Sequence, residues 1–224
     1  MAWAYVNSTS GSAGGSNPAL TTTWNITTGN RLFYAVHGSG TAVTSVADSA
    51  GNTYALIYSD SNLVIYAATI TAGGGGTVTV TGTNTGGTSA AVILAEYSGV
   101  AGPVDVSVGT ATATSNTPTS AATAATTGAN ELVIGVGTMI GANPTITGGT
   151  GYTLRTSFTL TTQYSIAWED EDSGSSGTTQ TASFALVTAE AGEVVCAAIK
   201  LAAPSSGIPT IRRVNQAVMR AAVT

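Results

Sequence analysis

The run Thr77-Val78-Thr79-Val80-Thr81 decides the fold class. Its polar and apolar residues alternate with a period of two. Val78 and Val80 therefore face a core while the threonines face outward, the signature of a half-buried strand. Similar runs, rich in β-branched and aromatic residues and bounded by Gly, Asn, Asp and Ser, predict strands at 31–37, 54–58, 63–69, 77–83 and 90–97. A second set follows at 131–138, 152–160, 163–169, 178–186 and 193–201. Shorter or less regular runs stand at 3–6, 21–26, 43–47, 104–112 and 145–147. Turn signals recur about every 10 residues, the spacing of a sandwich or barrel.

Composition agrees. Only 8% of the 224 residues are charged, against about 25% in an average soluble domain. Thr occurs 40 times, Gly 28 times and Lys once, at Lys200. Of the strong helix formers only Ala is plentiful, which excludes a helical bundle. A hydrophobic fraction of 43% with a net charge of −5 excludes a disordered chain. No apolar run reaches the roughly 18 residues of a spanning helix, so no membrane partner is expected.

The two sets of strands echo one another. The stretch from Thr27 to Val36 resembles that from Thr126 to Val136. Tyr54-Ala55-Leu56 matches Tyr152-Thr153-Leu154, and Leu63 to Ala67 matches Tyr164 to Trp168. The Gly73 to Gly76 turn matches Gly174 to Gly177, and Val92 to Tyr97 matches Val195 to Lys200. The order of five landmarks points to an internal duplication, with pseudo-repeats at about 20–105 and 120–203. A half is small for a stable core of its own. The halves are therefore expected to share one, as two packed sheets or interleaved jelly-roll strands, with two separate barrels as the alternative. The expected fold is an all-β, jelly-roll-like sandwich of about 10–14 strands over 1–203. Phe33, Tyr34, Tyr54, Tyr66, Tyr152, Trp168 and Phe184 are its candidate core aromatics. The Ala/Thr/Ser segment 111–125 is expected to link the halves.

Composition changes again at Pro204-Ser205-Ser206-Gly207-Ile208-Pro209. The last 15 residues hold three of the six cations, Arg212, Arg213 and Arg220, and no acid. All 11 acids precede them. Ile211, Val214 and Val218 fall on one face of a short helix, though an extended arm fits equally. Segment 204–224 is expected to be a docking arm that binds a partner protein through Ile208, Ile211, Arg212, Arg213, Val214, Val218 and Arg220. Three arginines on an acidic chain do not suit nucleic acid.

Catalytic chemistry finds little to work with. His37 is the sole histidine and has no serine selected for it; no Gly-x-Ser-x-Gly elbow is present. Cys196 lies in an apolar run and reads as a buried, inert thiol. As the one cysteine, it excludes an internal disulfide framework. Glu169-Asp170-Glu171-Asp172 reads as a solvated hairpin. Glu169, Asp170 and Asp172 are the only metal-ligand candidates and do not fit the calcium-loop pattern. Asp48-Ser49-Ala50-Gly51-Asn52 reads as a turn. No cofactor, metal or enzymatic activity is expected.

Four stretches resemble a widespread β-sandwich module of tailed-phage virion proteins (capsid cement, decoration or fibre) and bacterial surface proteins. They are Arg31 to His37, Val46 to Tyr54, Glu96-Tyr97-Ser98-Gly99-Val100 and Asn130 to Gly135. The likeness covers about residues 20–202 and implies a jelly-roll with a structural or adhesive role and no catalytic residues. The basic, apolar tail, which is not part of the module, tilts the expectation towards a capsid cement protein, assembled in the host cytoplasm and placed on the capsid exterior. Its partners would be the major capsid protein or other virion subunits, and it would form a dimer or trimer. The C-terminal arm, or the N-terminal segment to Asn17, would reach a neighbour. Met1-Ala2-Trp3-Ala4-Tyr5 begins no basic and apolar secretory leader, which fits release by lysis or removal of a leader. Two alternatives remain open: a carbohydrate-binding adhesin or fibre module with Trp24, Tyr58 or Tyr164 as sugar platforms, and an extracellular filament subunit that exchanges terminal strands.

Overall fold

The alternating run at 77–81 becomes the start of a strand with Val78 and Val80 buried, as its period requires. The computed structural model describes residues 2–14, 17–38, 43–84, 89–141, 145–160 and 164–202. Among them are fifteen strands and no helix. The first half contains β1 (Ala4–Gly14), β2 (Ala19–Thr21), β3 (Arg31–Gly38), β4 (Val43–Asp48), β5 (Ala55–Ser59), β6 (Leu63–Thr69), β7 (Thr79–Asn84) and β8 (Ser89–Ser98). The second contains β9 (Val104–Ser115), β10 (Leu132–Ile140), β11 (Ile146–Gly148), β12 (Thr153–Leu160), β13 (Tyr164–Asp172), β14 (Phe184–Leu186) and β15 (Glu190–Ile199).

One five-stranded sheet runs β1-β8-β3-β6-β5 and the other β9-β15-β10-β13-β12. The two orders are the same once the stretch 116–126, which pairs with 178–186, is counted as the second strand of the second half. A smaller sheet, β2-β7-β4, covers the outer face of the first. Strands 1, 8, 3 and 6 in one layer with 2, 7 and 4 in the other is the jelly-roll order; β5 sits beside β6 instead of β4. In the second half β11 and β14 form the outer layer. The chain at 116–126 completes it: Phe184 N donates to Pro118 O at 3.1 Å and Ser120 N to Ala182 O at 2.9 Å.

The molecule is thus four layers deep. Each half has an apolar cluster between its large and small sheets. A third cluster lies between the two large sheets, with Phe33, Ile65 and Tyr97 from one half and Ile134, Trp168 and Val195 from the other. Phe33 stacks edge-on to Tyr97 at 5.7 Å and tilts against Trp168 at 5.4 Å. The halves share a core as two packed sheets, but neither interleaves strands with the other. Tyr97, fully buried, was missing from the expected aromatic core, whereas Tyr54 and Tyr152 are only half-buried.

Three expectations change. The link between halves is 99–103, because 104–115 is β9, a full strand of the second half. The run 178–186 yields only the short strand β14, its earlier part pairing loosely with 116–126. The N-terminal segment is no free arm: β1 pairs with β8 along Ala4 to Gly14. Its Ser, Thr, Gly and Ala residues lack the apolar alternation of a strand. Their hydroxyls instead bond across to β12, where Thr156 Oγ1 donates to Ser10 Oγ at 3.0 Å and Ser10 Oγ to Ser157 O at 3.2 Å.

Register defines the equivalence of the halves. Arg31 pairs with Tyr97 and Thr69, and Leu132 with Ile199 and Asp172. Arg31 therefore answers to Leu132, and Phe33 to Ile134. The sequence match that lays Leu32 on Leu132 is one residue out, and a one-residue slip reverses every side chain of a strand. Leu32 indeed faces the outer layer and Leu132 the shared core. Bulges confirm the corrected register. β1 bulges at Val6 and β9 at Asp105; β5 bulges at Ile57 and β12 at Arg155. Such bulges re-aim a side chain at a sheet edge.

The edges meet crosswise, β1 against β12 and β5 against β9. This is the reciprocal pattern of a two-fold interface, made within one chain. At the second edge Tyr58 lies over Gly109, where a Cβ would overlap its ring. Gly109→Ala is expected to cost about 1–3 kcal/mol by overpacking. Ser107→Ala, an exposed change on the same strand, should stay within about 0.5 kcal/mol. Urea unfolding midpoints of the two variants check this.

Candidate functional site

The junction between the large sheets holds the chain's charge chemistry. Arg155, the β12 bulge residue, clamps Asp170 of β13 with two parallel hydrogen bonds, Nε to Oδ2 at 2.6 Å and Nη2 to Oδ1 at 2.8 Å. This is the bidentate geometry in which arginine is strongest. Asp170 is 1% exposed. Tyr97 of the other half donates its hydroxyl to Asp170 Oδ2 at 2.6 Å, and Trp168 Nε1 donates to Tyr97 at 2.8 Å. The Arg155 guanidinium lies 4.3 Å over the Tyr5 ring. Burial, and then the Asp170 charge, push the Tyr97 hydroxyl well above its ordinary range. The Asp170 hydrogen bonds hold the Arg155 proton more firmly, against the opposing effect of burial.

The equivalent corner in the first half is built differently. By register, Ile57 stands for Arg155, Ala67 for Asp170, Ile65 for Trp168 and Ile199 for Tyr97. A surface groove opens there, about 330 Å³ in volume, lined by Arg31, Thr53, Ala55, Ala67, Thr69 and Thr71. Arg31 is 7% exposed; its Nη1 donates to Gly102 O at 2.5 Å and its buried Nε has no partner. Burial makes that guanidinium easier to deprotonate than usual.

The third cation of the described residues, Lys200, pairs with Asp105 at 3.0 Å. Asp105 is the β9 bulge residue. It also accepts from Thr127, N to Oδ2 at 2.5 Å and Oγ1 to Oδ1 at 2.7 Å. Burial works against its charge, but the Thr127 hydrogen bonds and Lys200 outweigh it and hold the carboxyl down at about 2. Among the described residues both ion pairs therefore begin at a bulge of the second half. The matching bulges of the first half carry Val6 and Ile57.

The acidic run is not a solvated hairpin. β13 continues through it, and alternation sends its carboxylates to opposite faces. Glu169 faces the outer layer, where it accepts Gly149 N at 2.8 Å and Ser183 N at 3.2 Å. Burial pushes it up to about 8. Asp170 faces the shared core, and Asp172 accepts Gly174 N at 2.7 Å in the turn. Glu169, Asp170 and Asp172 therefore do not converge on one ion.

His37 is buried, with Nδ1 2.6 Å from Asn62 O and its ring edge-on to Tyr164 at 4.7 Å. Burial lowers its proton affinity. Cys196 is a buried thiol, pushed up to about 12 by burial. Asp48 organises the turn expected of it, accepting the Ala50 and Asn52 amides at 3.0 Å each. The three sugar-platform candidates are engaged inside the molecule. Trp24 donates to Glu96 at 2.5 Å, Tyr58 donates to Glu193, and Tyr164 packs on His37. Ile208, Ile211, Arg212, Arg213, Val214, Val218 and Arg220 lie outside the described residues.

No sequence motif marks the clamp, because its parts are scattered from Tyr5 to Asp170 and only the fold gathers them. No family model matches the chain, and no curated protein or solved structure is significantly similar to it.

Proposed function

We propose that the chain is a non-enzymatic structural protein of a tailed-phage virion, a capsid cement or decoration protein on the shell exterior. One observation carries this reading. Arg31, Arg155 and Lys200, all the cations before residue 203, are engaged within the sandwich, while the last 15 residues hold the other three cations and no acid. An acidic body with a basic, apolar terminal segment suits docking on a second protein, where arginines meet carboxylates and Ile and Val bury apolar area. The major capsid protein is the partner of this proposal, and a dimer or trimer of the chain would add joints between capsomers. The engagement of Trp24, Tyr58 and Tyr164 inside the fold weighs against the sugar-binding alternative.

Deleting residues 208–224 tests the proposal. Shells that lack the protein should lose its binding when offered the truncated chain, while the thermal unfolding of the truncated chain stays unchanged. Full occupancy by the truncated chain would overturn the docking role. A saturable ligand on a glycan array would favour the adhesin instead.

A further inference from the structure

Lys200, the chain's single lysine, directly follows the last strand of the second half, and Asp105 stands at the bulge of the first strand of that half. The two strands are hydrogen-bonded neighbours. Lys200 Nζ is 3.0 Å from Asp105 Oδ1, one bond from the carboxyl carbon. Glu131 stands beside both, 1% exposed; neither carboxylate oxygen receives a well-formed hydrogen bond, and the nearby Gly128 amide only partly offsets the burial. A buried carboxyl with so little solvation, next to a second carboxylate, favours its protonated form. Burial and then Asp105 both push Glu131 up, in accord with that. This cluster has no role in the docking reading, and the corresponding positions of the first half (Val6, Ser98, Asn30) carry no such chemistry.

We propose that Lys200 and Asp105 join through an intramolecular amide bond, with Glu131 as the acid–base group. The ion pair first collapses: the ammonium passes one proton to the Asp105 carboxylate, leaving a neutral amine and a neutral carboxylic acid. The amine nitrogen attacks Asp105 Cγ. Thr127 N–H and Oγ1–H already point at the two carboxyl oxygens and stabilise the charge that develops there. Glu131 gives its proton to the departing hydroxyl and takes one from the attacking nitrogen, so it ends as it began. The N–Cγ bond forms, one Cγ–O bond breaks and one water leaves. No oxidant, metal or nucleotide is consumed. Amide formation in water is normally unfavourable between free groups. Here the fold holds the partners in contact, and effective molarities of about 10⁵–10⁸ M are reached by well-oriented intramolecular pairs. The link would tie the first strand of the second half to its last.

Intact-mass spectrometry of the purified full chain tests this. The wild-type chain should weigh one water less than its sequence. Lys200→Arg and Asp105→Ala should keep their full sequence masses. After denaturation and trypsin, the wild-type chain should resist cleavage after Lys200, and tandem spectra should place Lys200 and Asp105 in one branched peptide. A wild-type chain at full mass that is cleaved after Lys200 overturns the proposal, as does a water lost elsewhere in the chain. Glu131→Gln keeps the shape of the side chain and should leave most molecules unlinked. Linkage as complete as in the wild type would remove Glu131 from the reaction.

Discussion

Replacing Asp170 by alanine is expected to destabilise the protein by about 3–5 kcal/mol, the usual cost of removing one partner from a buried ion pair. The change leaves the Arg155 guanidinium without its two charge-assisted hydrogen bonds and the Tyr97 proton without an acceptor. The first half supplies a natural comparison. At the corresponding corner the same backbone packs Ile57 and Ala67 where the second half has Arg155 and Asp170. An apolar version of this corner is therefore compatible with the fold. Arg155→Ile combined with Asp170→Ala should cost less than the sum of the two single changes, by about 1–3 kcal/mol. Guanidinium unfolding of the four proteins measures that coupling. Additive costs would mean that the clamp does not act as a unit.

The clamp also joins the halves, since Tyr5 and Tyr97 come from one and Arg155, Trp168 and Asp170 from the other. Loss of the pair should loosen the shared core more than either outer layer. Hydrogen exchange reads this directly: amides of β8 and β13 should lose protection in Asp170→Ala, while those of β7 and β14 change less.

The strands with one wet face or a fully apolar run were legible in the sequence, because burial writes a period into them. β6 was read at its observed limits, 63–69, since six of its seven residues are buried. β1 was not, beyond its first residues. Its inner contacts are hydroxyls and small residues against β12, and such packing leaves no apolar alternation to find. The duplication was legible as an order of landmarks but not as a register. Leu32 and Leu132 look alike in sequence and face opposite ways, because hydrogen-bond partners and bulges, invisible in the chain alone, set the register. The candidate site was the least legible part. Glu169-Asp170-Glu171-Asp172 looks like surface because charged runs almost always are. Only the partners Arg155 and Tyr97, distant in sequence, make burial of Asp170 tolerable.

Raising the pH from 5 to 9 is expected to destabilise the protein, by several kcal/mol in total. Burial raises the proton affinity of Glu131, Glu169, Glu171 and Glu193 above that of an ordinary glutamate. A raised acid binds its proton more tightly folded than unfolded. Its contribution is fully present below the unfolded value and is lost as pH rises through the folded one. For Glu169 that window runs from the ordinary 4.5 to about 8. At about 1.4 kcal/mol per unit the loss is of the order of a few kcal/mol. Glu171 and Asp170, its neighbours on β13, add repulsion to the burial, while the Gly149 and Ser183 amides favour the charge and limit the rise. Groups held below their ordinary values work the other way but act lower. Asp60, held down by the Ser61 hydroxyl, favours stability as pH rises out of the acid range, and His37, lowered by burial, favours it up to its ordinary value of 6.5. Stability should therefore peak in the mildly acidic range and fall above it. Glu169→Gln cannot ionise; it keeps one acceptor oxygen, for Gly149 or Ser183, and sets an NH2 against the other amide. It should flatten the decline between pH 5 and 9 while lowering stability at pH 5 by about 1–3 kcal/mol, the cost of the unsatisfied buried donor. Chemical denaturation at fixed temperature across that range measures both curves. Parallel curves would show that Glu169 titrates as an ordinary surface carboxylate and that its burial is relieved by water.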